Sequence, residues 1–194
     1  AGFLQGMMRA GGEIDLATQS MLVGTRWDIS ALRVDPTGKR KPSYRPQGFT
    51  TAFYRRFHGP RRLRVDHGSL PGRTNPYTVG KWTKWPRSTP WLADVDLLAT
   101  ASDTRLFVHV VQRSFDESHD LVLDLNDLGV DVTDGAMHRL VVSGKRDDDD
   151  QFCRIKTTAV RSDGGRLYLT LAPRTLSIIE LPLCQGRRSS DGAQ

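Results

Sequence analysis

Cysteine is scarce in this sequence, with only Cys153 and Cys184 among 194 residues. Their spacing matches no metal-binding motif, so the sequence predicts no metal site. The two thiols can form a disulfide only if their strands are neighbours. The sequence leaves that pairing open, and with it the redox compartment.

The sequence also lacks a long run of apolar residues. Hydrophobic residues make up 38% of the chain and the mean hydropathy is -0.44, which predicts a soluble protein with no membrane partner. Gly2, Gly6, Arg9 and Gly11 interrupt the first apolar residues, a pattern unlike that of a signal peptide. The chain begins at Ala1 and reads at once as a helix, so we expect it to be a piece of a longer protein.

A complete catalytic set is missing as well. Ser114, His119 and Asp120 are close in sequence, but the segment FDESHD is typical of a hairpin tip, not of a nucleophile with its base. His58 follows a helical pattern and His109 lies within a strand pattern, which favours structural roles for both. No two carboxylates stand out as an acid and base couple, so we predict no catalytic residue and no cofactor in this chain.

The balance of charge is basic, with a net charge of +6 and a pI of about 9.7. Five arginines lie close together in sequence: Arg55, Arg56, Arg61, Arg62 and Arg64. No DNA- or RNA-binding motif accompanies them, so a solvated basic surface is favoured over an anion-binding face, and no nucleic-acid partner is predicted. Nucleic-acid binding is kept as a hypothesis beside those given below, and it requires an affinity that falls steeply with salt concentration.

From about residue 61 onward the sequence contains one strand pattern after another. Arg166 to Leu183 reads RLYLTLAPRTLSIIELPL, which predicts two strands joined at Ala172-Pro173, because leucines alternate with other residues before the proline. A strand this apolar requires a partner sheet to cover it. Further strands are predicted at 95–100, 106–112, 120–125, 138–143 and 152–160. These patterns predict a mainly β fold: an antiparallel, jelly-roll-like β-sandwich over residues 61–185.

Turn and loop signals separate these strands. Ser102-Asp103 and Asp163-Gly164-Gly165 are typical of hairpin turns. The acidic run 147–150 lacks the ligand spacing of a calcium site, so we interpret it as a solvated loop. We expect the polar residues 186–194 to form a flexible tail.

The first sixty residues follow a different pattern. Apolar residues at helical spacing predict a helix from Phe3 to Leu22, broken or bent at Gly11-Gly12. The run 29–34 predicts one buried strand. A second helix is predicted over 44–58, with Pro46 in its first turn and an apolar face formed by Phe49, Ala52, Phe53 and Phe57. The order helix, strand, helix is typical of an α/β unit.

An irregular stretch rich in proline, residues 66–91, joins the two halves. It contains Trp82, Trp85 and Trp91. Tryptophans on such a loop either stack on sugar rings or hold the loop against the sandwich. Packing is favoured because tryptophan is usually mostly buried.

Two segments of the first sixty residues resemble the family 51 glycoside hydrolases, the α-L-arabinofuranosidases. Residues 13–34, EIDLATQSMLVGTRWDISALRV, are similar to the family's stretch from the seventh barrel helix into the eighth strand, with Arg26-Trp27 as the Arg-Trp pair. The second segment is similar to the opening of the family's eighth helix and carries these matches: Pro42-Ser43-Tyr44, Gln47, Phe53-Tyr54 and Gly59. The tryptophan-rich stretch 71–91 matches nothing in the family.

The resemblance implies a catalytic (β/α)8 barrel followed by a β-sandwich. Residues 1–60 would then be the C-terminal end of the barrel: helix 7, strand 8 and helix 8. The family's acid/base and nucleophile are glutamates at the ends of the fourth and seventh strands, both upstream of Ala1, and Glu13 and Glu117 do not replace them. The loop 35–44 would face the sugar, which makes Ser43 and Tyr44 the candidate substrate-binding residues unless they merely begin the second helix.

The resemblance therefore implies the C-terminal fragment of a retaining glycoside hydrolase that releases α-L-arabinofuranosyl residues from arabinose-containing polysaccharides or oligosaccharides. The fragment lacks the catalytic glutamates, is predicted to be inactive alone, and has the upstream barrel of the same chain as its partner. The alternative is a non-catalytic carbohydrate-binding β-sandwich, in which Trp82, Trp85 and Trp91 hold a polysaccharide.

Overall fold

A computed structural model describes residues 1–14, 22–25, 30–74, 91–128, 131–143 and 152–184. Within these ranges the chain forms two α-helices and fourteen β-strands, which confirms the predicted mainly β class. The helices are α1 (Gly2–Arg9) and α2 (Pro46–Arg56). The strands are β1 (Val23–Gly24), β2 (Leu32–Arg33), β3 (Ser43–Tyr44), β4 (Arg61–Leu63), β5 (Gly72–Thr74), β6 (Trp91–Ala93), β7 (Val95–Ala101), β8 (Arg105–Gln112), β9 (His119–Asp124), β10 (Asp131–Val132), β11 (Gly135–Ser143), β12 (Phe152–Val160), β13 (Arg166–Leu171) and β14 (Thr175–Cys184).

Seven of the strands form one large antiparallel sheet. Six of them follow the order β12-β11-β14-β8-β7-β4, and β10 pairs with β14 on the same edge as β11. The two central strands, β8 and β14, pair from Thr175 opposite Gln112 to Pro182 opposite Arg105. Nearly every residue of β8 is buried, which requires that both faces of this sheet be covered.

The first face of the large sheet is covered by the two-stranded sheet of β9 and β13. Leu167, Leu169 and Leu171 of β13 point into the core, while the intervening residues of β13 are exposed. They pack with Leu97, Val108 and Ile179 of the large sheet, together with Leu106, Val110 and Leu181. This packing of sheet on sheet, with every strand of the two layers antiparallel, confirms the predicted antiparallel arrangement of the β region.

The second face is covered by the two helices. Phe53, Tyr54 and Phe57 of α2 pack on the large sheet, with Leu4 and Met8 of α1 beside them. The sheet contributes Phe107, Val111, Leu176 and Ile178. Full burial of one phenylalanine, leucine or isoleucine side chain contributes about 1.5–3 kcal/mol to the free energy of unfolding. The contact between the helices and the sheet therefore contributes substantially to stability. The apolar strand β14 thus has a sheet on one face, as predicted, and helices on the other.

The turns divide into those that stay within a sheet and those that change layer. Ser102-Asp103 joins the paired strands β7 and β8, so the hairpin predicted there is confirmed. Asp163-Gly164-Gly165 forms the predicted tight turn, closed by two backbone hydrogen bonds of 2.9 Å between Asp163 and Arg166, but it leads from β12 of the large sheet to β13 of the β9–β13 sheet. The segment FDESHD is not a hairpin tip, because it joins β8 of the large sheet to β9 of the other sheet. Turn residues bend the backbone in the same way in both cases, so their chemistry does not show which strand the chain joins next.

The first sixty residues differ from the prediction in their boundaries. Helix α1 ends at Arg9, next to the predicted glycine break, and the strand predicted over 29–34 is limited to the half-buried Leu32–Arg33. Helix α2 begins with Pro46 in its first turn, as predicted. On its packed face Ala52 is exposed and Tyr54 is buried instead.

Several sequence features lie outside the described residues. They are Arg26-Trp27, Trp82, Trp85, the acidic run 147–150 and the tail 186–194. Within the described ranges no helix combines the length and the apolar character needed to cross a membrane. Cys153 and Cys184, both described, are not bonded to each other.

Candidate functional site

The predicted substrate-binding residues Ser43 and Tyr44 form strand β3, at the edge of a three-stranded sheet. They pair with Arg33 and Leu32 of β2, which in turn pairs in parallel with β1. Both residues are exposed, and the ring of Tyr44 meets that of Phe49 edge-on at 6.1 Å. They therefore precede helix α2 and are not part of it.

The backbone beneath β3 is held by close contacts between α2 and the segment before β2. The backbone N–H of Arg45 donates to the carbonyl of Ala31 at 2.9 Å, and Nε2 of Gln47 donates to the carbonyl of Ser30 at 2.7 Å. Gly48 lies so close that a Cβ there would be 2.2 Å from the oxygen of Ala31. The side chains of Ser43 and Tyr44 are thus presented on a fixed frame.

The loop between β2 and β3 is shaped by Asp35. Its carboxylate accepts from the backbone N–H of Thr37 at 2.9 Å and from that of Arg40 at 3.0 Å, and it also accepts from the Thr37 hydroxyl. These hydrogen bonds, those of Thr37 first, lower the pKa of Asp35. The ionised carboxylate therefore acts as the fixed acceptor of this turn.

A buried polar network connects α1, α2 and β7. The side chain of Asp96 is 11% exposed and pairs with the guanidinium groups of Arg9 and Arg113. Gln5 is fully buried between Asp96 and Tyr54. Its side-chain amide fits both partners in one orientation, in which the nitrogen donates to Asp96 at 3.0 Å and the oxygen accepts from the Tyr54 hydroxyl at 3.0 Å. Burial is the main cause that raises the pKa of Tyr54, so this hydroxyl remains a donor.

Two buried histidines lie where α2 meets the large sheet. The ring of His138 stacks on Phe57 with centroids 4.0 Å apart, and its Nε2 donates to Glu180 at 2.9 Å. His109 stacks on Tyr54 at 5.0 Å. Burial lowers the pKa of His138, and burial together with the nearby His58 lowers that of His109 to about 3. Both rings are therefore neutral packing groups.

Ser114, His119 and Asp120 do not form a catalytic set. The Ser114 hydroxyl accepts from the backbone N–H of Glu117 at 3.1 Å. His119 instead faces Asp94, with Nε2 3.8 Å from a carboxylate oxygen. Asp120 accepts from the hydroxyl of Thr170 at 2.8 Å. Each side chain has a separate structural role.

A groove of about 870 Å³ opens between the end of α1 and strands β4, β6 and β7. We call it the basic groove, and its polar and aromatic lining is Arg9, Arg62, Arg64, His67, Trp91, Asp96 and Arg113. Trp91 is 54% exposed, and its indole lies over Gly72, where a Cβ would be 2.6 Å from Nε1. The groove thus combines several guanidinium groups with one open aromatic face.

Sequence reasoning missed the buried carboxylate Asp94 and the partly buried carboxylate Asp96. The signal was present, because both interrupt an apolar strand pattern and a buried carboxylate must be paired. Their partners Arg73, Arg9 and Arg113 are distant in sequence and could not be identified from it. Among the described residues no group of three histidine, cysteine or acidic side chains is arranged to hold a metal ion.

Comparison with known proteins identifies similar folds. No family model matches the sequence. No curated protein matches it at a significant level. Among solved structures, the α-L-arabinofuranosidase from Thermotoga maritima, in complex with arabinose, is similar over 94% of this chain and 37% of its own, with a TM-score of 0.70 and 16% identity. The thermostable GH51 α-L-arabinofuranosidase from Thermotoga petrophila RKU-1 is similar over 92% of this chain and 36% of its own, with a TM-score of 0.69 and 17% identity.

The same fold also occurs outside family 51. A β-porphyranase of glycoside hydrolase family 86 from the human gut bacterium Bacteroides plebeius is similar over 94% of this chain and 29% of its own, with a TM-score of 0.59 and 12% identity. This chain spans about a third of the length of the two arabinofuranosidases. It therefore has the fold of the C-terminal β domain of the GH51 α-L-arabinofuranosidases, which confirms at the level of fold the resemblance that the sequence indicated.

Proposed function

We propose that this chain is the C-terminal part of a retaining glycoside hydrolase that releases α-L-arabinofuranosyl residues from arabinose-containing polysaccharides or oligosaccharides. The observation that carries the proposal is the similarity to two arabinofuranosidases over more than nine-tenths of the chain, helices and sandwich together. A fold alone does not determine a reaction, so the motif resemblance around Ser43 and Tyr44 is the second support.

In this proposal residues 1–60 are the end of a (β/α)8 barrel, and residues 61–185 are the sandwich that supports it. The contact of α1 and α2 with the large sheet, apolar around Phe53 and polar around Asp96, then holds the two parts together. Ser43 and Tyr44, exposed on a fixed strand, contact the substrate.

The two catalytic glutamates are supplied by the upstream barrel. Glu13 and Glu117 are exposed, and Glu180 is held by His138 and Arg105, so none of them forms a pair of facing carboxylates. Retaining hydrolysis requires two carboxyl groups about 5–5.5 Å apart, one protonating the leaving oxygen and one attacking the sugar. In this proposal the chain is inactive alone.

The test is to read the gene upstream of Ala1 and to compare the chain alone with the joined protein. With 4-nitrophenyl α-L-arabinofuranoside as substrate, we expect hydrolysis only when the upstream segment is present. In the joined protein, Ser43→Ala and Tyr44→Ala should raise KM, whereas Ser102→Ala, in the β7–β8 turn, serves as the control. Hydrolysis by the chain alone, or an upstream segment without barrel strands and their glutamates, would contradict the proposal.

The exposed indole of Trp91 favours a second candidate, a carbohydrate-binding β-sandwich without its own catalysis. An indole face open to solvent beside a groove is suited to packing against a sugar ring. Pull-down of the chain on insoluble arabinoxylan distinguishes this candidate. Binding that Trp91→Ala abolishes supports it, and the absence of binding counts against it.

A further inference from the structure

We propose that the basic groove binds an acidic saccharide, a short run of sugar units of which at least one carries a carboxylate. The inference rests on the proposed carbohydrate function and adds the class of ligand. It concerns a site apart from Ser43 and Tyr44, which are not among the residues that line the groove.

The charge of the groove is the first step. Four guanidinium groups line it, from Arg9, Arg62, Arg64 and Arg113, together with the single carboxylate of Asp96. Asp96 pairs with two of them and therefore neutralises only part of their charge. The floor of the groove is positive even after its internal ion pairs are counted.

Arg62 is the group placed to meet an anion. It lies on the edge strand β4, and its guanidinium donates to the backbone carbonyl of Arg9. A carbonyl does not neutralise a guanidinium, and in the described part of the chain no carboxylate pairs with Arg62. Arg64 differs, because it pairs with Asp66, although both side chains are exposed and such a pair is weak. A ligand carboxylate can accept two parallel hydrogen bonds from a guanidinium such as that of Arg62.

Trp91 gives the groove its preference for a sugar. Its indole lies against Gly72, where a Cβ would be 2.6 Å from Nε1, and 54% of the residue remains exposed. Since the β5–β6 ribbon holds the ring, little side-chain entropy is lost when a ligand packs on it. The C–H face of a pyranose is a suitable partner for such a flat surface.

The size of the groove separates a saccharide from a nucleic acid. Its volume of about 870 Å³ lies within the range of small-ligand pockets, roughly 300–1,000 Å³. A nucleic-acid interface instead involves phosphate contacts spread along an extended surface. A few sugar units with one carboxylate match both the volume and the localised charge.

The experiment is isothermal titration of the 194-residue chain with two probes of similar size. One is xylotriose carrying a single glucuronosyl group, and the other is neutral xylotetraose. We expect the acidic probe to bind about tenfold more tightly, as one charge-assisted hydrogen-bonded pair provides. Arg62→Gln should remove that difference without changing the affinity for xylotetraose, and Trp91→Ala should weaken the binding of both probes.

Matched controls come from the exposed surface away from the groove. Arg161→Gln and Tyr168→Ala remove an exposed guanidinium and an exposed ring elsewhere, and both should leave the two affinities unchanged. Equal affinity for the two probes, no binding of the acidic one, or an unchanged acidic affinity in Arg62→Gln would each overturn the proposal. Displacement of the acidic probe by a tighter-binding decathymidylate would overturn it in favour of nucleic acid.

The two proposals fail in different experiments. Hydrolysis of 4-nitrophenyl α-L-arabinofuranoside by the joined protein tests the proposed function, and this neutral substrate does not require Arg62. If the acidic probe does not bind while the joined protein hydrolyses its substrate fully, only the proposal for the basic groove is rejected. If the acidic probe binds while the joined protein hydrolyses nothing, only the proposed function is rejected.

Discussion

At the scale of single residues, the interior of this protein is more polar than its strand patterns suggest. Gln5, His109, Gln112 and Ser177 are all at most 2% exposed. Most of these groups have a partner across the helix–sheet contact or within the sheet, which is the condition for burying them without a large cost. His109 is the titratable side chain among these four, and it makes the stability of the protein sensitive to pH.

His109 provides the prediction at this scale. The Thr100 hydroxyl accepts from the backbone N–H of Gly59 at 3.0 Å and lies 3.1 Å from Nε2 of His109, so it donates its own proton to a neutral ring. Burial, with a contribution from His58, lowers the pKa of His109 to about 3 in the folded protein, against 6.5 as its ordinary value. As pH falls below 6.5 the unfolded chain binds a proton that the folded chain does not. The free energy of unfolding therefore decreases between pH 6.5 and 3, by about 1.4 kcal/mol per pH unit from this group.

Urea unfolding at pH 7, 6 and 5, followed by tryptophan fluorescence, measures this dependence. We expect the slope for His109→Gln to be smaller than that of the original chain by about one proton, whereas His67→Gln, at an exposed position, keeps the original slope. Comparing slopes separates the titration from any loss of packing, because a loss of packing lowers the free energy of unfolding equally at all three pH values. Identical slopes for His109→Gln and the original chain would contradict the prediction, because they would mean that His109 binds its proton over the same pH range in the folded and the unfolded state.

At the scale of elements, sequence pattern and structure agree best where the evidence is local. The predicted strand 152–160 coincides with β12, and the turn at Ala172-Pro173 does separate β13 from β14. The alternation of leucines in β13 and the proline between the strands act within a few residues. The layer to which β9 and β13 belong was not visible, because it depends on partners far away in sequence.

Two glycines within the helices, Gly6 and Gly48, give the prediction at this scale. Gly6 in α1 has no atom within 4 Å of a Cβ built on it, whereas Gly48 in α2 would place its Cβ 2.2 Å from the carbonyl oxygen of Ala31. Gly6→Ala should raise the free energy of unfolding by about 0.5–1 kcal/mol, because alanine is the better helix former. Gly48→Ala should lower it by about 1–3 kcal/mol, because the backbone of Ala31 must move away.

Each glycine is the control for the other, since both changes add one methyl group within a helix. The measurement is the urea midpoint of the two variants and the original chain at pH 7. Equal stabilisation by both substitutions would mean that α2 does not lie against the segment before β2. The frame beneath Ser43 and Tyr44 would then have to be revised.

At the scale of the whole molecule, the large sheet has two covers of different kinds. The β9–β13 sheet covers one face, and α1 with α2 covers the other. The second cover comes from residues that the sequence assigns to another domain. The domain boundary at residue 60 remains a prediction. The packing shows that helices before this position cover strands that follow it.

Removal of residues 1–58 tests that dependence. It exposes Phe107, Val111 and Ile178 on one continuous face, and apolar patches of this kind promote association. We expect the shortened chain to bind a hydrophobic dye and to elute as aggregates in size-exclusion chromatography. A monomer with the original unfolding midpoint would show that the sheet does not require the helices.

A pair of point variants tests the same contact in the full-length chain. Phe53 is 1% exposed in the middle of the contact, and Ala52 is exposed one residue earlier on the same helix. Phe53→Asp should behave like the shortened chain, because it places an unpaired charge in the interior. Ala52→Asp should remain monomeric with a stability within about 0.5 kcal/mol of the original.

The sequence by itself determined the mainly β class, the positions of most long strands and the place of Pro46 in the first turn of α2. These features follow from side-chain alternation, from proline and glycine, and from helical spacing, all of which act over a few residues. Only the tertiary structure decided that Ser43–Tyr44 is a strand, that Asp96 is a partly buried acceptor for α1, and that Arg62 and Trp91 share a groove. Each of these depends on chain segments brought together from a distance, such as Arg9 and Asp96, 87 residues apart, and no local pattern encodes such a pairing.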